Sequence, residues 1–352
     1  MHNFVYNGNP GRVIFGQGTI SRLREEAERL GIQRLLVLAT PEQADQAAAI
    51  AQKLGDRSVG LFSKAKMHTP TEVTAEAMEV VKETRADGLL AIGGGSTTGL
   101  GKAIAFRTDL PQIVVPTTYA GSEATPILGE TENGRKVTKS APSILPEVII
   151  YDVDLTMTLP FTMSVTSGMN AIAHAVEALY ARETNPVTCL MAEEGISAIA
   201  GGLPMLQQDA TSVSARSDVL YGAWLCGVCL GSVGMALHHK LCHTLGGMFD
   251  LPHAQLHTAV LPHVVAYNRA ATPDAMARVN RALGSTEPAR GLYELSSRLG
   301  ATMALKDLGM REDGIDAALD QALSNPYWNP RPLHRQPLRE LLTHAFHGIA
   351  PL

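Results

Sequence analysis

The chain has 352 residues, 45% hydrophobic and 18% charged, with 32 Gly and 20 Pro, which excludes a small disulfide scaffold and a disordered tail. With 29 basic against 34 acidic residues the net charge is −5, so no general attraction to nucleic acid or to an anionic membrane is expected. A chain longer than roughly 250–300 residues is expected to fold around two cores. The N-terminal MHNFVYNGNPGRVIFG has no basic segment leading into an apolar run and cleavage site, and no stretch is apolar enough to span a bilayer. Four cysteines without regular spacing fit reduced thiols, so the expected location is cytoplasmic.

In chain order, the first half alternates short apolar runs with amphipathic stretches. Ser21 to Leu30 reads as a helix, Arg34 to Ala39 as a strand and Gln43 to Leu54 as a helix. Ser58 to Phe62 (strand), Thr71 to Thr84 (helix), Gly88 to Ile92, Gln112 to Val115 and Glu147 to Tyr151 (strands) continue the pattern. Such alternation predicts a parallel sheet covered on both faces. Beyond about Asp154 long helical stretches take over, among them Val165 to Tyr180 and Ser217 to Leu245. The acid-rich DVDLTMTLP, closed by Pro160, reads as the junction, giving an α/β domain over 1–155 and an all-helical domain over 156–352.

LLAIGGGSTTGLGKAIA sets Gly93, Gly94, Gly95 and Ser96 between a buried strand and a helix expected from Thr98 through Phe106. Glycines let the backbone approach a ligand closely, and the unpaired N–H groups at a helix start attract a pyrophosphate. The pattern is not GxGxxG, and tight turns use glycines too. In VVPTTYAGSEAT, which follows the next strand, Thr117, Thr118, Ser122 and Thr125 offer hydroxyls to the same crevice, or cap a helix. Thr40 stands where an acidic residue could grip an adenosine ribose, so neither NADH nor NADPH is excluded. Lys102 is expected either to fix the nucleotide or to be solvated. Tyr119 is expected to line the nicotinamide or substrate side, or to pack within its loop.

Of the twelve histidines, His238, His239, His243, His253 and His257 crowd into HHKLCHTLGGMFDLPHAQLH. His239 and His243 share a helix face; Gly246 and Gly247 are expected to end that helix and a loop to return His253. Upstream, Asn170 and His174 are again four apart. So dense a cluster points to a functional pocket. His174, His239 and His253 could ligate zinc or iron(II), with Asn170 giving only a neutral carbonyl where a carboxylate binds better. SNPYWNPRP gathers Tyr327, Trp328 and Arg331 in a loop that could grip a substrate carboxylate through the arginine and wall a cleft with its rings, or be pinned to a domain surface, the slightly favoured reading. Cys226 and Cys229 form a CxxC inside an apolar helix and read as small core side chains rather than a redox pair.

Taken in order, GRVIFGQG, GGGS, PTT, YDVDLTMTLP, NAIAH and HHKLCH…PH resemble the iron-containing alcohol dehydrogenase superfamily and, within it, the maleylacetate reductases. The resemblance spans nearly the whole chain. It implies the dehydroquinate synthase-like fold, with an α/β nucleotide-binding domain, a helical domain, a cleft between them and a homodimer. It further implies reduction of the dicarboxylate maleylacetate to 3-oxoadipate by NADH or NADPH in bacterial degradation of aromatic compounds. Metal-using relatives carry Asp where this chain has Asn170, many carry Asp at the place of Gly99, and PTTYAGSE is shorter than the common form. These departures resemble maleylacetate reductases and imply that no metal is required. The alternative is a metal-dependent alcohol or polyol dehydrogenase that tolerates Asn170. The implied nucleotide site is Gly93, Gly94, Gly95, Ser96, Thr117, Thr118, Ser122, Thr158 and Leu159. His243 and His253 are the expected catalytic residues, with Asn170, His174, His239 and Tyr119 toward the substrate.

Overall fold

The architecture comes from a computed structural model that describes residues 4–6, 8–9, 11–132 and 135–351. Two compact units form, one over Asn9–Leu159 and the other from Pro160 onward. The first is built on a six-stranded parallel sheet. Its strands are β1 (Arg12–Gly16), β2 (Leu35–Leu38), β3 (Ser58–Phe62), β4 (Gly88–Gly93), β5 (Gln112–Pro116) and β8 (Val148–Asp152), ordered β1-β8-β5-β4-β2-β3. A separate antiparallel hairpin joins β6 (Ile127–Glu132) to β7 (Arg135–Ser140).

Side-chain alternation explains why the central strands read as unbroken apolar runs. Leu35, Val37, Leu90, Ile92, Ile113 and Val115 pack on one face with helices α1 (Leu23–Arg29) and α2 (Ala44–Leu54). On the other face, Leu36, Leu38 and Leu89 meet α3 (Thr71–Thr84) and α4 (Gly95–Thr108). With both faces covered, the central strands are apolar at nearly every position. The edge strand β1 escapes the sequence reading because its residues are only half-buried or exposed, and the hairpin escapes because its strands are largely polar.

The second unit is helical: α5 (Phe161–Tyr180), α6 (Pro186–Gln208), α7 (Val213–Gly231), α8 (Leu237–Phe249), α9 (His253–Asn268), α10 (Pro273–Leu283), α11 (Pro288–Arg298), α12 (Ile315–Ser324) and α13 (Arg335–His347). Among the described residues it contains no strand, and among the described residues of the chain no helix is long and apolar enough to cross a membrane. Helix α5 is buried from Ser164 through Tyr180. Close packing of α6 on α7 depends on small residues, since a Cβ on Gly195 would lie 2.8 Å from the Cys226 sulfur. Cys226 and Cys229 are therefore core side chains; burial pushes the Cys226 thiol far above its usual range and the Cys229 thiol up to about 12, so neither is a ready thiolate.

Two expectations about the second unit need correcting. The helix expected over Ser217 to Leu245 is broken after Gly231, because acceptors from elsewhere take the freed N–H groups. Gly234 N–H donates to Glu183 Oε2 at 3.1 Å and Ala236 N–H to Glu177 Oε2 at 2.7 Å. Gly246 and Gly247 do not end α8, which runs on to Phe249 and stops at Asp250 in the left-handed conformation (φ 51°). Consequently His253 lies in no loop; it is the first residue of α9.

Candidate active site

Strands β4 and β5 end side by side, with Gly93 opposite Pro116, so GGGS and PTT lie next to each other at the carboxyl edge of the sheet. Thr117 N–H donates to Gly93 O at 3.0 Å, and Gln43 Nε2 donates to Thr117 Oγ1 at 2.6 Å. Gly93 has φ +152°, and a Cβ there would lie 2.5 Å from Gln43 Oε1 and Thr97 Oγ1. On Gly94 it would lie 2.8 Å from Thr118 Cγ2, whereas on Gly95 nothing comes nearer than Ser122 Oγ at 4.0 Å. The helix expected from Thr98 begins at Gly95, so the Gly95 and Ser96 N–H groups belong to its first turn, where no intrahelical acceptor reaches them. This arrangement suits a pyrophosphate. Thr118 and Ser122 are half-buried beside it, Thr158 is exposed, and Leu159 is buried.

Lys102 is not solvated. Its Nζ, on α4, donates to Ser122 O (2.5 Å), Thr125 O (2.7 Å), Ile127 O (3.0 Å) and Thr125 Oγ1 (3.0 Å). Burial pushes its ammonium down to about 7, opposed by the charge of Glu123. The Glu123 carboxyl, raised by its own burial, accepts the Tyr151 hydroxyl at 2.9 Å. The lysine thus pins the loop carrying Ser122. Lys102→Met should leave these carbonyls unpaired, lower stability by about 2 kcal/mol and weaken NADH binding, as read by urea unfolding and NADH titration. Tyr119, in the loop after β5, is fully buried.

In the second unit, Asn170, His174 and Glu177 lie on one face of α5. Asn170 Nδ2 is 3.3 Å from His174 Nε2, and His174 Nδ1 is 2.9 Å from His239 Nε2. His239 Nδ1 in turn is 2.6 Å from Glu177 Oε2. Asn170, His174 and His239 are buried, while His243 and His253 are half-buried. The rings gather from three helices: His239 lies 6.1 Å from His243 and 5.2 Å from His257, and His257 lies 4.3 Å from His253, between centroids. His243 Nδ1 is 3.2 Å from the Tyr327 hydroxyl. Arg331 instead donates to Tyr267 O at 2.7 Å and stacks on that ring, which ties down the loop presenting Tyr327.

Beneath these rings, His238 Nε2 is 3.0 Å from His257 Nδ1, and Cys242 Sγ is 3.7 Å from His238 Nε2. Among the described residues these three alone bring His, Cys, Asp or Glu ligand atoms within 4.8 Å of one another. A cation there would leave N–H groups on both His238 Nδ1 and His257 Nε2, each buried without a hydrogen-bond partner. The direct imidazole hydrogen bond leaves only one such N–H, so it is the better state. The sequence reading missed Glu177 as a partner and underweighted Tyr327; the signal for Glu177 was its position one turn beyond His174.

Residues 10–153 match the iron-containing alcohol dehydrogenase family model, and residues 164–346 match the C-terminal model of the same family. The chain belongs to the iron-containing alcohol dehydrogenase family. It is 55% identical over 349 residues to a maleylacetate reductase of Sphingobium indicum, covering 99% of both chains. It also superposes on crystal structures of maleylacetate reductase from Agrobacterium tumefaciens (52% identity, TM-score 0.95) and Rhizobium sp. (53%, TM-score 0.94), each over 100% of both chains.

The family name implies iron, but the residues present do not fit a divalent cation. The ligand atoms of His174, His239 and His253 are not among those gathered within 4.8 Å. His239 Nε2 is engaged with His174 Nδ1, and position 170 offers an amide where a carboxylate would bind more strongly.

Proposed function

We propose that this chain is an NAD(P)H-dependent oxidoreductase that reduces maleylacetate to 3-oxoadipate in bacterial breakdown of aromatic compounds, with imidazoles doing the work of a cation. The identity of 55% along nearly the full length of a maleylacetate reductase carries the reading. Bound NADH or NADPH supplies a hydride to the alkene carbon β to the ketone. The glycine turn, Thr117, Thr118 and Ser122 hold the dinucleotide, with Thr158 and Leu159 beside them. As charge builds on the ketone oxygen, fixed N–H donors stabilise it. His243, oriented by Tyr327, protonates the enolate; His253 is the second candidate. Asn170, His174 and His239 shape the substrate end, and Tyr119 supports the nicotinamide side from its buried position. The active form is a homodimer, which the mass in solution tests.

Maleylacetate added to the purified protein with NADH should bleach the NADH absorbance and yield an equal amount of 3-oxoadipate. Unconsumed NADH would overturn the assignment. The metal-free reading makes a separate prediction. Asn170→Asp restores the carboxylate that a cation prefers, so zinc affinity should rise about tenfold or more, as measured by competition with a chromophoric chelator; unchanged affinity would count against it.

A further inference from the structure

Resting on that functional reading, we propose that Glu177 is a positioning residue that sets where the protons lie on the His174–His239 pair. Glu177, on α5, is fully buried and meets the start of α8. Its Oε1 accepts His238 N–H at 2.6 Å, and its Oε2 accepts both Ala236 N–H at 2.7 Å and His239 Nδ1 at 2.6 Å. A negative group at a helix N-terminus is favoured by the helix dipole. One side chain therefore caps the helix bearing His239 and His243 and also holds one of its imidazoles.

The directions of the remaining bonds follow in sequence. A carboxylate only accepts, so in the neutral imidazole the single His239 proton resides on Nδ1 and Nε2 carries a lone pair. That lone pair faces His174 Nδ1 at 2.9 Å, which must therefore donate. His174 is left with a bare Nε2, to which the Asn170 amide donates at 3.3 Å. Asn170 and Glu177 are matched ends of one chain, donor at one and acceptor at the other. A carboxylate at 170 would set two acceptors face to face unless His174 took a second proton. The lone pair at the far end of the chain from Glu177 is thus on His174 Nε2.

Nitrogen-15 spectra of histidine-labelled protein test this, with His239 assigned by its loss in His239→Gln. Protonated Nδ1 and bare Nε2 are expected in the wild type; a proton on Nε2 instead overturns the proposal. In Glu177→Gln the amide offers its own N–H toward His239. The two tautomers should then mix and kcat fall about 100-fold, with the KM for NADH unchanged. Unaltered kcat in that variant overturns the proposal as well. If the variant fails to fold for want of its helix cap, the wild-type spectrum decides alone. Failure of the wild type to reduce maleylacetate would remove the functional reading while leaving the spectral answer standing.

Discussion

Acidification below pH 6.5 should unfold the helical unit steeply. Burial holds the imidazoles of His238 and His257 well below the ordinary 6.5, helped by neighbouring histidines, and pushes His263 down to about 4. In the folded state these groups stay neutral where the unfolded chain takes up protons. Their stability contribution is thus complete above 6.5 and is lost as pH falls: for His263 between 6.5 and about 4, and further down for the other two. Each group costs roughly 1.4 kcal/mol per pH unit once its unfolded form is protonated. Three together approach about 4 kcal/mol per unit, and two units would consume much of a typical stability of about 5–15 kcal/mol. Urea unfolding at pH 6.5, 5.5 and 4.5 should show an uptake of about three protons, reduced by one in His263→Asn. A flat profile would mean that these imidazoles are hydrated in the native state.

His243→Ala should lower turnover of maleylacetate by about 100-fold or more, while NADH binding survives. His243 is half-buried, its Nδ1 lies 3.2 Å from the Tyr327 hydroxyl, and the buried His239 ring packs behind it at 6.1 Å. A half-buried imidazole oriented by a tyrosine hydroxyl is suited to passing a proton to substrate. Tyr327→Phe removes the orienting bond to His243 while keeping the ring, and should cost about fivefold. Single-turnover traces separate the two effects from product release. Equal turnover in His243→Ala and wild type would shift proton delivery to His253.

The residues made some of this legible and hid the rest for physical reasons. Strands such as Leu35–Leu38 stand out because both faces of the sheet are covered, whereas β1 offers only the three apolar residues Val13, Ile14 and Phe15 between Arg12 and Gly16. The break between α7 and α8 was invisible, because the groups that stabilise it, Glu177 and Glu183, lie 59 and 51 residues away in sequence. The same distance concealed Glu177 itself, whose His239 partner is 62 residues downstream. Histidine density gave the neighbourhood of the site, while the pairing of His174 with His239 and of His238 with His257 needed three helices brought together. Lys102 was misjudged as possibly solvated because its acceptors are backbone carbonyls, which no side-chain pattern announces.

Turnover of maleylacetate by enzyme stripped with a strong chelator and assayed in metal-free buffer tests the account most directly. Undiminished NADH oxidation, unaffected by returning iron or zinc, is the predicted result. Abolished activity that either ion restores would contradict it.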